Sequence, residues 1–120
     1  MSENLADPAR IAGYHAHLYY SPEARSLAEK LREEIAERFA VRVGRWHDEP
    51  VGPHPCAMFQ VAFLVEEFAR FVPWLMLNHG LLTVLIHPTT DDAVADHSRF
   101  AMWLGTPLPL RLEVLRGTQP

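Results

Sequence analysis

The run Tyr14-His15-Ala16-His17-Leu18-Tyr19-Tyr20 sets two imidazoles two residues apart among aromatic and apolar side chains. That spacing is the period of a β-strand, so His15 and His17 leave one face, and Ala16 and Leu18 the other. Two imidazoles offered together suit one small object, such as a metal ion or an anionic ligand. An isolated pair is more often just solvated. This pair is followed by His54, His87 and His97, each in a distinctive context.

Working outward, the strand is expected from about Ile11 to Tyr19, after a loose polar arm over residues 1–10 that carries Pro8. Ser21-Pro22-Glu23 then predicts a helix start, with Ser21 as cap and Pro22 in the first helical position. Leu27, Leu31, Ile35 and Phe39 recur at helical spacing, and the charged residues between them form a solvated outer face. Val41 to His47 predicts a second strand. Asp48 to Pro55 holds three prolines and a glycine, which exclude regular structure. Met58 to Val65 is a third strand, apolar on both faces as expected of a central one. Glu66 to Leu77 predicts a second helix containing Pro73, closed by Asn78-His79-Gly80 with Gly80 in the left-handed conformation. Leu81 to His87 predicts a fourth strand, ended by Pro88. Asp91-Asp92 introduces a third helix, Ala93 to Trp103, stopped by Gly105 and Pro107. Residues 106–120 form a tail, either an edge strand or an arm over a partner.

The order β-α-β-β-α-β plus a helix predicts an α+β, ferredoxin-like sandwich over residues 11–105. Its four-stranded antiparallel sheet is expected in the order 4-1-3-2, with the 1–3 pair as the exception. Both long helices cover one face, taking Ala16/Leu18, Phe59/Val61/Phe63 and Leu82/Val84/Ile86. The opposite face receives His15, His17, Gln60, Thr83 and His87. The starts of strands 1 and 3 and the end of strand 4 are expected at one edge, which brings His54 and His87 there. His97 closes over them from the last helix. Trp46, on the edge strand, lines the open face and stacks on an aromatic substrate, or serves a dimer contact. Met58, Leu64 and Leu85 on that face predict a homodimer, with a tail folded across the sheet as the substitute.

With 120 residues the chain has room for one core. A net charge of −4 argues against a nucleic-acid partner. No apolar run reaches the ~20 residues of a membrane helix, and the first residues lack a secretory layout, so a cytoplasmic protein is expected. The single cysteine, Cys56, excludes an internal disulfide and a Cys-rich zinc site. It reads as a core thiol. His47 and His79 lie near element ends and read as exposed.

Convergent neutral imidazoles suit zinc or ferrous iron, and they equally suit acid–base chemistry near neutral pH. Candidate carboxylates for a mixed shell are Asp48, Glu49, Asp91, Asp92 and Asp96; a site of three histidines is the other option. A non-catalytic ligand-binding module and a metal-independent enzyme with histidine as base stand as alternatives.

Tyr14-His15-Ala16-His17-Leu18-Tyr19-Tyr20, Val51-Gly52-Pro53-His54-Pro55, Leu85-Ile86-His87-Pro88 and Asp96-His97 before Trp103-Leu104-Gly105 together resemble the DOPA 4,5-dioxygenase family. The resemblance covers roughly residues 11–110. It implies a ferredoxin-like, usually dimeric protein that opens a catechol such as DOPA with O₂ at non-haem Fe(II). It places the site at His15, His17, His54, His87 and His97. Within that set, His17, His54 and His87 are expected to hold Fe(II), or zinc or another divalent metal in a crystal. His15 and His97 stand behind them for proton transfer, and Gln60, Thr83 and Trp46 meet the substrate. The chain departs from the family pattern at Thr90-Asp91-Asp92 and His79, which flank the site.

Overall fold

Alternate residues of the central strands build two different faces, and the helices choose between them. The computed structural model describes residues 5–116. The elements are β1 (Gly13–Tyr19), α1 (Arg25–Arg38), β2 (Arg42–His47), β3 (Met58–Phe63), α2 (Phe68–Asn78), β4 (Thr83–Thr89), α3 (Ala93–Asp96), β5 (Met102–Leu104) and α4 (Leu112–Arg116). Short 3₁₀ turns at Pro22–Ala24 and Val65–Glu67 lead into α1 and α2. Ser21 precedes the first of these, but its side chain makes no capping bond.

The fold is α+β with one antiparallel sheet in the order β2-β3-β1-β4-β5. Two expectations are corrected here. The sheet has five strands rather than four, and β1 pairs β3 antiparallel, with Tyr19 opposite Met58. The start of β3 therefore lies at the far end of β1, away from the end of β4. The predicted helix from Ala93 to Trp103 is the second correction. It stops after one turn at Asp96, and Met102–Leu104 instead pair with β4 as an edge strand. Edge strands this short are set by the neighbour that offers free hydrogen-bonding groups, which local periodicity does not display.

Ala28, Leu31 and Ile35 of α1 and Phe71, Val72 and Leu75 of α2 pack on Ala16, Leu18, Phe59, Val61, Phe63, Val84 and Ile86. This is the expected helix-side core. Burying each large member contributes about 1.5–3 kcal/mol. α2 continues through Pro73, which sits on its exposed side, and ends with the Asn78 amide donating to the Trp74 carbonyl at 2.8 Å. Gly80 takes φ +55°, the left-handed stop expected of it. β4 does not end at Pro88 but runs through it to Thr89.

The other face has a smaller apolar cluster of Tyr19, Met58 and Leu85, covered by Trp103, Leu108 and Leu110. The tail thus lies across the sheet, tied down where the Arg111 N–H donates to the Pro53 carbonyl at 2.9 Å. Of the three side chains whose exposure motivated a dimer, Met58 and Leu85 are buried by the chain itself, and Leu64 is exposed. Of the expected arm and tail, residues 1–4 and 117–120 lie outside the described residues. Among the described residues no helix is long and apolar enough to cross a membrane.

Candidate metal centre

β1 runs between β3 and β4, so its side chains meet both neighbours. The two-residue period puts His15, His17 and Tyr19 on the face away from the two long helices. β4 supplies His87, directly opposite His15 in the ladder. His54 arrives differently from the expectation, because the start of β3 is at the wrong end for a shared edge. The turn Val51-Gly52-Pro53-His54 folds back over the sheet, closed by the His54 N–H donating to the Val51 carbonyl at 3.0 Å. Gly52 at φ +55° followed by a proline is the sequence of a II′ turn, and only glycine enters it without strain. His97 comes from just past the one-turn helix α3.

The five rings converge. The Nε2 atoms of His17 and His87 are 3.1 Å apart in a buried contact. The His17 and His54 ring centres are 4.1 Å apart, and those of His87 and His97 are 4.0 Å apart. His15 presents its edge to His87 at 5.1 Å. Two groups can hold an ion: His15, His17 and His87, and His17, His54 and His97; within each, the ligand atoms lie within 4.8 Å of one another. His17 belongs to both. The donor set fits a metal: bonds of ~2.0–2.1 Å at tetrahedral or octahedral angles separate neighbouring ligand nitrogens by about 3–3.4 Å.

Hydrogen bonds to the outer nitrogens fix which nitrogen is bare. His87 Nδ1 lies 2.7 Å from the Pro88 carbonyl and His97 Nδ1 lies 2.8 Å from the Ala93 carbonyl. A carbonyl only accepts, so each Nδ1 carries a proton, and Nε2 is the nitrogen available to a ligand. His54 Nδ1 lies 2.6 Å from the Tyr19 hydroxyl, which holds that ring in place. His17 Nδ1 is buried with no partner among the described residues.

Burial, followed by the mutual repulsion of the cluster, keeps His15, His17, His54 and His87 neutral. His87 is pushed down to about 3 and His54 to about 4. His17 falls well below the usual histidine value, and burial lowers His15, with smaller contributions from His97 and Arg42. Neutral rings at pH 7 offer lone pairs without first releasing protons, which favours a cation. Burial raises the Tyr19 phenol, so it stays protonated.

The candidate carboxylates are engaged elsewhere. Asp96 is buried and accepts from the Thr90 N–H at 2.9 Å and the Thr90 hydroxyl at 2.6 Å. Asp92 caps α3 through the Ala95 N–H at 3.0 Å. Asp91 pairs with Arg10 at 3.4 Å, and Asp48 accepts from Tyr20 at 2.7 Å and Arg25 at 3.1 Å. Glu49 is exposed. Among the described residues no carboxylate joins either histidine group.

The remaining predicted residues divide. Gln60 is half-buried opposite His17 on the histidine face. Thr83 is opposite Tyr19 and lines a cleft of about 820 Å³ that Tyr19 also reaches. Trp46 lies on the helix side instead, against Tyr20 and Phe59, with the Arg25 guanidinium over its ring at 3.9 Å. The cause is an irregularity between Val43 and Trp46, which places two residues apart on β3 opposite three on β2. Cys56 is half-buried, and burial raises its thiol. Tyr19 is the residue the sequence reading passed over. It continues the His15-x-His17 alternation by one more step, and that was the signal available.

The Dopa 4,5-dioxygenase family model matches residues 14–114. A protein called DOPA 4,5-dioxygenase from Amanita muscaria is 31% identical over an alignment 114 positions long that covers 87% of this chain and 50% of that protein. An uncharacterized 21.2 kDa protein of Botryotinia fuckeliana is 38% identical over 118 residues, covering 86% of this chain and 63% of its own length. The chain thus spans between half and two thirds of these curated relatives. A crystal structure of a proposed dioxygenase from Nostoc punctiforme superposes with a TM-score of 0.93 at 50% identity, covering 94% of this chain and 98% of that one. The chain belongs to the Dopa 4,5-dioxygenase family.

Proposed function

We propose that the protein is an extradiol ring-cleaving dioxygenase, inserting both atoms of O₂ across a ring bond beside the diol of DOPA or a related catechol. The observation that carries this reading is the 3.1 Å approach of the His17 and His87 Nε2 atoms inside a cluster of neutral imidazoles. Three protein nitrogens leave coordination positions for a two-oxygen ligand and for O₂. Ferrous iron, when bound, supplies the redox step by which O₂ reacts with a catechol.

His15, His17 and His87 are the residues that would hold the ion. The originally expected set, His17, His54 and His87, spans both histidine groups. Two ligands of one ion can be no farther apart than twice the bond length, about 4.2 Å, so the set within one group is the better fit. His54 then lies against His17 and His97 against His87, with ring centres 4.1 and 4.0 Å apart. The Ala93 carbonyl holds His97 Nδ1, which leaves Nε2 as the nitrogen to take the catechol proton. Tyr19 fixes the His54 ring beside it.

The test loads the protein anaerobically with Fe(II), then measures bound iron and O₂ uptake on a panel of catechols. The parent is expected to bind one iron and to open at least one catechol. His17→Ala, which removes the residue common to both groups, is expected to lose the iron and the turnover. His97→Ala is expected to keep the iron and lose turnover about a hundredfold or more. Stoichiometric iron and parental turnover in His17→Ala would overturn the reading.

A further inference from the structure

A second cleft, of about 540 Å³, opens beside the cluster over the start of β1 and the end of β3. His15 is the member of the histidine set that lines it. The ladder explains what else faces it. Arg42 stands opposite Ala62, Ala62 opposite His15, and His15 opposite His87. Directly opposed residues project to the same side of a sheet, so these four form one row on the histidine face. Ala62 contributes only a methyl group, leaving a low floor between the Arg42 side chain and the imidazoles. Across two strand spacings, the Arg42 backbone lies about 10 Å from that of His15.

Arg42 is the only arginine, lysine, aspartate or glutamate lining this cleft among the described residues. Arg32 donates to the Gly44 carbonyl, while Arg25 and Arg70 are held by carboxylates. The Arg42 guanidinium has no such partner among the described residues. Arginines on edge strands commonly serve to discourage further pairing, and Arg45, exposed like Arg42 but not lining the cleft, suits that role. Arg42 differs in sharing a row and a cleft with His15.

We propose that Arg42 anchors a carboxylate carried several bonds beyond the diol, and that the preferred substrates are catecholic acids without a cationic group. This rests on the catechol reading above for the identity of the ring. A guanidinium takes a carboxylate in a two-pronged geometry. Among the described residues no acidic side chain lines the cleft to receive an ammonium group, so the amine of DOPA finds no counter-charge from them there. Dihydrocaffeate, which is DOPA without its amine, is therefore the better substrate, and dopamine, with the amine and no carboxylate, is the poorest.

Two measurements test this. On the iron-loaded protein, kcat/KM is expected to rank dihydrocaffeate first, then DOPA, then methylcatechol, then dopamine. Arg42→Gln is expected to lower dihydrocaffeate about tenfold more than it lowers methylcatechol, the discounted effect of one charged hydrogen-bonding pair at an exposed side chain. Arg42→Lys is expected to recover part of the loss, and Arg45→Gln to change nothing. On the metal-free protein under argon, calorimetric titration with dihydrocaffeate is expected to give a Kd about tenfold weaker in Arg42→Gln than in the parent or Arg45→Gln. Equal Kd values in parent and Arg42→Gln, or dopamine cleaved as well as dihydrocaffeate, would overturn the anchor. If no catechol is opened, the dioxygenase reading falls and the metal-free titration alone decides on Arg42. Thermal melts of the variants separate a lost anchor from a lost fold.

Discussion

The two faces of one sheet follow opposite rules. On the helix side, Ala16, Leu18, Phe59, Val61 and Val84 have no exposed surface and no polar group to satisfy. On the other, His17 and His87, one residue along the same strands, and His54, from the turn over the sheet, are buried almost as deeply. Yet they gather like groups that repel when protonated, and one leaves a ring nitrogen without a partner among the described residues. The first face supplies stability; the second spends part of it to hold lone pairs together. Stability and site are separated by residue parity along β1, which is why one strand can serve both.

The largest effect that sharpens this contrast is in the helix-side core. Phe59→Ala removes a fully buried ring and is expected to destabilise the protein by about 3–5 kcal/mol, read as a lower denaturant midpoint at unchanged slope. A loss below about 1 kcal/mol would show that this face is not the source of stability.

Acid comes next. The His54 and His87 pKa values are lower in the folded protein than the unfolded value of 6.5, so the unfolded chain binds more protons between the two. Stability from these groups is full above pH 6.5 and declines as pH falls through the folded values of about 4 and 3. The metal-free protein is expected to lose on the order of 3 kcal/mol between pH 7 and 4. Denaturant titrations at a series of pH values check this. A flat profile over that range would mean that the rings are hydrated rather than buried.

The smallest effect has the opposite sign. His17→Leu replaces a buried ring carrying an unpartnered nitrogen with an apolar side chain. Metal-free, the variant is expected to be as stable as the parent or up to about 1 kcal/mol more so, while losing metal binding. Marked destabilisation would show that the histidine face contributes to the fold after all.

Much of this contrast could be read from residue order alone. Alternation in His15-Ala16-His17-Leu18 and in Phe59-Gln60-Val61-Ala62-Phe63 assigned both faces, because the two-residue period belongs to the strand itself. The features that escaped were set by partners. Trp46 changes face at a bulge, for which Gly44 was the sole local hint. β5 exists because β4 had a free edge, whereas Ala93–Trp103 read well as a helix in isolation. The reach of His54 depended on the direction in which β1 and β3 pair, and Asp96 on a loop that Thr90 supplies. Each of these is a non-local choice made after the strands meet.

The bond from the Arg111 N–H to the Pro53 carbonyl joins two parts that are far apart in sequence. It clasps the tail that shelters Tyr19 and Leu85 to the turn that carries His54. Lifting the tail would remove one restraint on that turn and uncover Tyr19, whose hydroxyl meets His54 Nδ1. The Arg111–Pro53 bond is thus a latch between the tail, packed through Leu108 and Leu110, and the turn that carries His54. The exchange rate of the Arg111 amide proton is the clock on which that latch can be read.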